Sequence, residues 1–465
     1  MIFSSPIHAF AWLSSTLDSS QVLNLLTQPF ASDNDFRASD FDVDPKSGFF
    51  PPAPLPRLPA EFCIWETALA TAPGVLALGK DRSEEALSRR SDGAWWRSTI
   101  RSWPVKDVSI LREDIRLLQR AHMVLASLMH YYVHSLPPTD TALIVPKSIA
   151  IPLVEVSRVL GIAPVLTFAD TVLWNWELVD PALPVSADNM RYLTTFSGTD
   201  TERGFYLASA AVELKGVEML DIFNRFQSLP RSSYTDAHAI AQLARDLNQL
   251  ANVIDGLTEI FKSMRETVDP HDFYWVVRPW WAGATSKGPN HPGWVLEGVP
   301  NGDSAHFDLG GASAGQSSVM HALDVFLDID HRLASHRTPA PTERNRHADL
   351  GFMQRMWRYM PGKHREYLTR LRSVRPVAER TPGLREPYNA AVAALKKLRD
   401  FHIRIVAIYV VTKADSTPPE RFAPEGGDDA EGTQKDGPAR GTGGSEVSNL
   451  LKAGRDATNR ALLQD

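Results

Sequence analysis

At 465 residues the chain has room for two or three domains, and 43% hydrophobic with 22% charged residues describes a globular protein with a large core. Acids outnumber bases 55 to 49, and the net charge of −6 argues against a nucleic-acid platform, which needs a concentrated basic face. The single cysteine, Cys63, excludes an intrachain disulfide and any cysteine-built zinc or iron–sulfur centre, and fits a reducing, cytoplasmic setting.

The opening "MIFSSPIHAFAWLSS" has no basic residue before Arg37, unlike a secretory signal or transit peptide, and no apolar run approaches the ~18 residues of a membrane helix. To about residue 60 the chain is loop-rich, because prolines at 51, 52, 54, 56 and 59 rule out a regular helix or an interior strand. Helical spacing then dominates. In residues 112–134 the apolar positions Ile115, Leu118, Ala121, Leu125, Leu128 and Tyr132 recur every three or four residues. Residues 149–162, 236–268, 317–333 and 387–411 read the same way, the second of these ending just before Pro270. From 413 to 446 the chain turns rich in Gly, Pro and acids, which predicts a mobile loop, and a last amphipathic helix runs from about Val447 to Leu463. A helix after such a loop must dock back on the body, so the loop is placed to act as a lid. Alternating strand patterns are nearly absent and no short repeat occurs, so the expected fold is all-α.

Three places in the chain carry chemistry. "DLGGASAGQSSVMHALD" joins a glycine-rich loop to a helix, but Gln316 stands where a phosphate-binding loop has its lysine, and no strand precedes it. A nucleotide site is rejected; what remains is a tight turn with Ser317 or Ser318 capping the helix, or a loop that lets backbone approach a flat ligand. Among 14 histidines no zinc spacing occurs. His402 lies on the apolar stripe Tyr388, Ala391, Val392, Leu395, Leu398, Ile405, Tyr409 and points inward, as a hydrogen-bonded core residue or as an axial haem ligand; His130 and His321 compete equally on this evidence. In "DFYWVVRPWWAG" Arg278 sits among aromatics, so it has an acidic partner, awaits an anionic ligand or points outward. Arg399, one turn before His402, and Asp324, inside an apolar helix pattern, each want an opposite charge, and the sequence does not show whether they meet.

Taken together, "GGASAGQSSVMHALDVFL", "MWRYMPGKHREYL" and "LREPYNAAVAALKKLRDFHIRIVAIYV" resemble the indoleamine 2,3-dioxygenase family, the haem enzymes that open the indole ring of tryptophan. The resemblance continues through "DPHDFYWVVRPWWAG", "GFYLASAAVEL", "PVLTFADTVLWNW", "VPKSIAIP" and "FDVDPKSGFFP", with "GTGGSEVSNLLK" at the other end, and has a fungal flavour. It implies a smaller N-terminal helical domain, residues 1–195, packed on a larger helical haem-binding domain, residues 196–465. It implies haem b with His402 as the iron ligand, Arg399 near a propionate, Asp324 paired with that arginine, and Ser313 and Ala314 in the loop beside the haem. Phe273 and Tyr274 fall on the positions that pack against the indole, Arg278 on the arginine that holds the substrate carboxylate, Ser209 on the small polar residue of the distal face, Phe168 and Thr171 on the indole pocket wall, and Thr442 on the closing loop. The implied reaction takes L-tryptophan and O2 to N-formylkynurenine, the first step of the kynurenine pathway, in a cytoplasmic monomer served by an electron donor. Two departures stand out: Ala312 is one residue more than the usual loop carries, and Trp275, Trp280 and Trp281 are bulkier than their counterparts. They leave open a modified indole as substrate, and two further readings remain: a haem-binding sensor or inactive paralogue, and a haem-free helical scaffold.

Overall fold

A computed structural model describes residues 36–286, 291–335, 337–340, 352–423, 440–442 and 447–464. Residues 1–35, and all of the expected lid loop apart from 413–423 and 440–442, lie outside the described residues. The fold is all-α, as expected.

The elements that matter for the site are α1 (Cys63–Val75), α2 (Arg90–Ser102), α3 (Ile115–His134), α4 (Lys147–Leu160), α5 (Asp200–Lys215), α6 (Ala237–Thr267), α7 (Ser318–Phe326), α8 (Pro382–Val406) and α9 (Val447–Asn459). Asp114 starts α3 by accepting from the Arg116 amide at 2.7 Å, and Asp236 starts α6 by accepting from the Ala239 amide at 2.8 Å. From Leu118 to Val133 every residue of α3 is buried, so this helix runs through the core rather than over it. Its polar residues are paired accordingly: Arg120 forks onto Glu66 of α1 at 2.6 and 2.8 Å, and His122 meets Asp170 at 2.7 Å.

α6 and α8 run side by side, and α9 packs against α8. The stripe read from the sequence is the buried face of α8, from Tyr388 through Leu398 to Ile405, with Tyr409 buried just beyond the helix end. Two short two-stranded pairings tie the ends together: β1 (Leu143–Val145) parallel to β4 (Trp294–Leu296), and β2 (Trp176–Leu178) antiparallel to β3 (Met190–Tyr192).

One helix is shorter than its spacing predicts. Residues 317–333 read as continuous helix, yet α7 stops at Phe326. Asp328 takes a left-handed conformation (φ 54°), and the Ile329 amide folds back to the Asp324 carbonyl at 2.9 Å, a Schellman-type ending. The turn brings His331 back onto Asp324.

Candidate active site

A cavity of about 340 Å³ with mainly apolar walls lies among α5, α6, α8, α9 and the glycine-rich loop. Phe168, Thr171, Ser209, Phe273, Arg278, Ser313, Ala314, Arg399, His402 and Thr442 all line it, although they come from six separate stretches of chain. Tyr274 and Asp324 do not line it. Each stands behind an arginine that does.

Three single π-helical turns, Ala169–Leu173, Phe273–Val277 and Ala407–Val411, border this space and contribute Thr171, Phe273 and Tyr409 to its wall. Such turns interrupt a helix to re-aim one side chain and gather at functional sites. At Phe273–Val277 the outcome is that Phe273 faces the cavity, while the next ring, Tyr274, turns aside and lies 5.0 Å from the Arg278 guanidinium. Of the two rings read as apolar wall, Phe273 lines the cavity and Tyr274 is a cation–π neighbour of the arginine.

Arg278 donates to the Arg440 carbonyl at 2.8 Å and meets no carboxylate among the described residues. Burial pushes its pKa down from the usual guanidinium value, with the Tyr274 hydroxyl opposing. It remains a cation, sheltered by aromatics and facing the cavity, with neutral partners only.

His402 is the one of the three competing histidines that is not engaged in hydrogen bonding. His130 Nδ1 meets the Trp280 carbonyl at 2.8 Å. His321 accepts from the Trp357 indole N–H at Nδ1, 3.0 Å, which leaves its Nε2–H to donate to the Gly315 carbonyl at 2.9 Å. His402 makes no hydrogen bond among the described residues and lies 5.7 Å, ring to ring, from Phe261. Burial, with Arg399 nearby, pushes its pKa down to about 4, so the imidazole is neutral at physiological pH and presents a lone pair.

Arg399 and Asp324 do meet. One Arg399 nitrogen contacts both Asp324 oxygens at 2.6 Å, and His331 Nε2 adds a third contact at 2.8 Å. Burial alone would raise the Asp324 pKa, but Arg399 and His331 beside it hold the carboxyl well below the usual range. From α9, the Thr458 hydroxyl and the Gly454 carbonyl fix the other Arg399 nitrogen.

The glycine-rich loop is a strut and a latch. Gln316, buried where a phosphate-binding loop would need lysine, accepts from the Phe168 amide at 2.8 Å and donates to the Gly311 carbonyl at 2.9 Å. Ser317 caps α7, receiving the Met320 amide at 3.4 Å. Gly283 and Gly311 pack backbone to backbone: a Cβ on Gly311 would lie 1.8 Å from the Trp281 carbonyl, and one on Gly283 would lie 2.3 Å from the Gly311 nitrogen. Thr442 closes over both. Its hydroxyl donates to the Ala312 carbonyl at 2.6 Å, and its own carbonyl receives the Gly283 and Gly311 amides at 3.4 and 3.3 Å. Ala312 thus supplies the acceptor for Thr442. Of the bulky tryptophans, Trp281 lines the cavity, Trp280 packs in the core on Tyr131 and Phe196, and Trp275 donates to Ser416 at 3.0 Å.

Two hydroxyls on the wall are turned to backbone carbonyls. Ser209 donates to the Phe205 carbonyl at 2.8 Å, and Thr171 to the Thr167 carbonyl at 3.1 Å. Two titratable wall residues escaped the sequence reading. Glu213 lies one helical turn after Ser209, an acid within an apolar run, which is the signal that marks it. Its Oε1 accepts from Ser317, its Oε2 is buried without a partner among the described residues, and burial pushes its pKa up to about 7. His331 was foreshadowed only by the demand of a buried Asp324 for donors.

Comparison with known proteins decides the lineage. The family model described as indoleamine 2,3-dioxygenase matches residues 37–461. The chain belongs to the indoleamine 2,3-dioxygenase family. It is 32% identical over 430 residues to indoleamine 2,3-dioxygenase 1 of Rattus norvegicus, covering 91% of this chain and 95% of that protein. It is 30% identical over 443 residues to indoleamine 2,3-dioxygenase of Saccharomyces cerevisiae, covering 90% and 91% respectively. It is also 28% identical over 427 residues to a 6-hydroxytryptophan 2,3-dioxygenase of Fusarium equiseti, covering 90% and 95%. As a member of this family the chain is an indole-cleaving dioxygenase, an enzyme rather than a scaffold. The family uses haem, and the residues here fit one: an unpaired neutral imidazole on an apolar wall, with Arg399 and His331 as donors on the same cavity. Among the described residues no three His, Cys, Asp or Glu side chains gather to hold a bare metal ion.

Proposed function

We propose that this enzyme cleaves the C2–C3 bond of the indole ring of L-tryptophan, placing both atoms of O2 in the product, N-formylkynurenine. The observation that carries the reading is the meeting, in one apolar cavity, of an imidazole without a hydrogen-bond partner and a guanidinium without a carboxylate partner among the described residues. His402 would hold the iron of haem b, with Arg399, backed by Asp324, His331 and Thr458, facing its propionate edge and Ser313 and Ala314 beside it. When bound and reduced by an external electron donor, the haem supplies the site at which O2 is activated.

The chain's own residues bind, orient and exclude water. Arg278 takes the substrate carboxylate as a charge-assisted fork, its orientation fixed by Tyr274 and the Arg440 carbonyl. Phe273, Phe168 and Thr171 form the wall for the indole, and Thr442, tied to Ala312, closes the space above the clamp. Ser209 and Thr171 donate their hydroxyl protons to backbone carbonyls, so catalysis by the protein rests on positioning in a dry cavity. A second reading, a ring-substituted tryptophan as the natural substrate, is favoured by the Trp281 indole on the wall and by the substrate named for the Fusarium relative.

Aerobic turnover by the reduced, haem-loaded protein, followed by mass spectrometry with L-tryptophan and 6-hydroxytryptophan in parallel, tests both. A product heavier by two oxygen atoms is expected, and the ratio of kcat/KM ranks the substrates; haem retained with no product from either sinks the proposal. His402→Gly is expected to lose haem on desalting and to regain its absorbance with added imidazole. Unchanged haem retention would remove His402 from its assigned role.

A further inference from the structure

We infer that a second cavity, sharing no lining residue with the first, is a binding site for a phosphate-bearing small molecule. It measures about 430 Å³ and is enclosed by residues 75–82, the stretch from Ala86 into α2, the turn after α3 and residues 422–423. Ala86, Arg89, Arg90, Gly93 and Arg97 recur at helical spacing, so a single face of this stretch is turned toward the space. Lys80 and Arg82 approach from the facing segment. Among the described residues the lining thus holds Lys80, Arg82, Arg89, Arg90 and Arg97 with one carboxylate, Asp81.

That carboxylate is already engaged. It accepts the Ser83 amide at 2.9 Å and stands 3.6 Å from Arg421. Among the cations, Arg89 pairs with Glu85 at 2.5 Å. Arg97 is half-buried and has no carboxylate among the described residues: its Nη1 donates to the Ser135 carbonyl at 3.2 Å and to the Ser135 hydroxyl at 3.0 Å. Gly93 gives it room, since a Cβ there would lie 3.4 Å from the same nitrogen and 3.3 Å from the Val75 carbonyl. Lys80 is held at the rim over the Phe422 ring, 4.7 Å from its centroid. A partly desolvated guanidinium fixed by neutral groups, with Arg90 on the same face of the stretch, is arranged for an anion that arrives from solution. Planar guanidinium forks match phosphate oxygens two at a time, and the space exceeds what a single inorganic phosphate fills.

Isothermal titration of the full chain with inorganic pyrophosphate, at low and at KCl-matched ionic strength, tests the site. Saturable one-to-one binding is expected, weakened about tenfold or more in Arg97→Gln and in Arg90→Gln and unchanged in the surface control Arg191→Gln. Arg90 is exposed and has no partner among the described residues, so its variant decides the matter if Arg97→Gln does not fold. Absence of saturable binding, equal affinity in all variants, or citrate binding as tightly as pyrophosphate would overturn the assignment and leave diffuse charge attraction only.

Discussion

A carboxyl with one oxygen bonded to Ser317 and the other bare, as at Glu213, ionises at the expense of the fold. Its folded pKa, about 7, lies above the ordinary value of 4.5. The stability it contributes is therefore complete below pH 4.5 and is lost as pH rises through 7, by at most about 3 kcal/mol. His402 and His321, both pushed down to about 4, act with the opposite sign between pH 4 and 6.5, so the effect must be read as a difference. Denaturant midpoints of the wild type and Glu213→Gln, measured from pH 4.5 to 7.5, should converge or cross as pH rises; a pH-independent gap would show that Glu213 does not titrate there. Arg278→Ala should weaken L-tryptophan by about 3 kcal/mol, roughly a hundredfold, while leaving a carboxylate-free indole within a few-fold. Equal losses for the two ligands would rule out the clamp. His402 was legible as an inward histidine because the α8 stripe carries it. What set it apart from His130 and His321 was legible only through the family resemblance and not in the local pattern, because their carbonyl and indole partners lie 6 to 150 residues away in sequence.

At the scale of elements, the glycine-rich loop, the 278–283 segment and residues 440–442 form one stitched unit. Gly283→Ala forces backbone apart at a contact with no slack, and a loss of about 2 kcal/mol in stability, with a raised KM, is expected from thermal denaturation and steady-state kinetics. An unchanged melting midpoint would mean that the two strands of backbone separate freely. Spacing of three and four gave the helices well wherever a face is apolar along its whole length, as in α6 and α8. It overran α7 because Leu327 and Ile329 continue the apolar pattern beyond the point where Asp328 turns the chain. The π-helical turns left no mark in the spacing, since one extra residue per turn is lost among ordinary irregularities.

For the whole molecule, the cavity is a product of assembly, with walls from segments between Phe168 and Gly454. The all-α class follows from the near absence of alternating patterns, but the convergence of those segments has no local signature, and only the collinear order of many motifs made it legible. Deleting residues 447–465 should strip Leu450, Leu451 and Gly454 from the wall and Thr458 from Arg399. Haem absorbance per mole of protein after desalting is expected to fall sharply while far-UV circular dichroism keeps most of its helical signal; full retention of haem would place the essential wall elsewhere. The position of α9 also has a consequence in time. A chain leaves the ribosome from its N-terminus and folds in that order. His402 and the apolar face around it emerge while the helix that covers them is still being made, so every nascent molecule passes through an interval with this wall open to water, which ends when the later-made α9 docks.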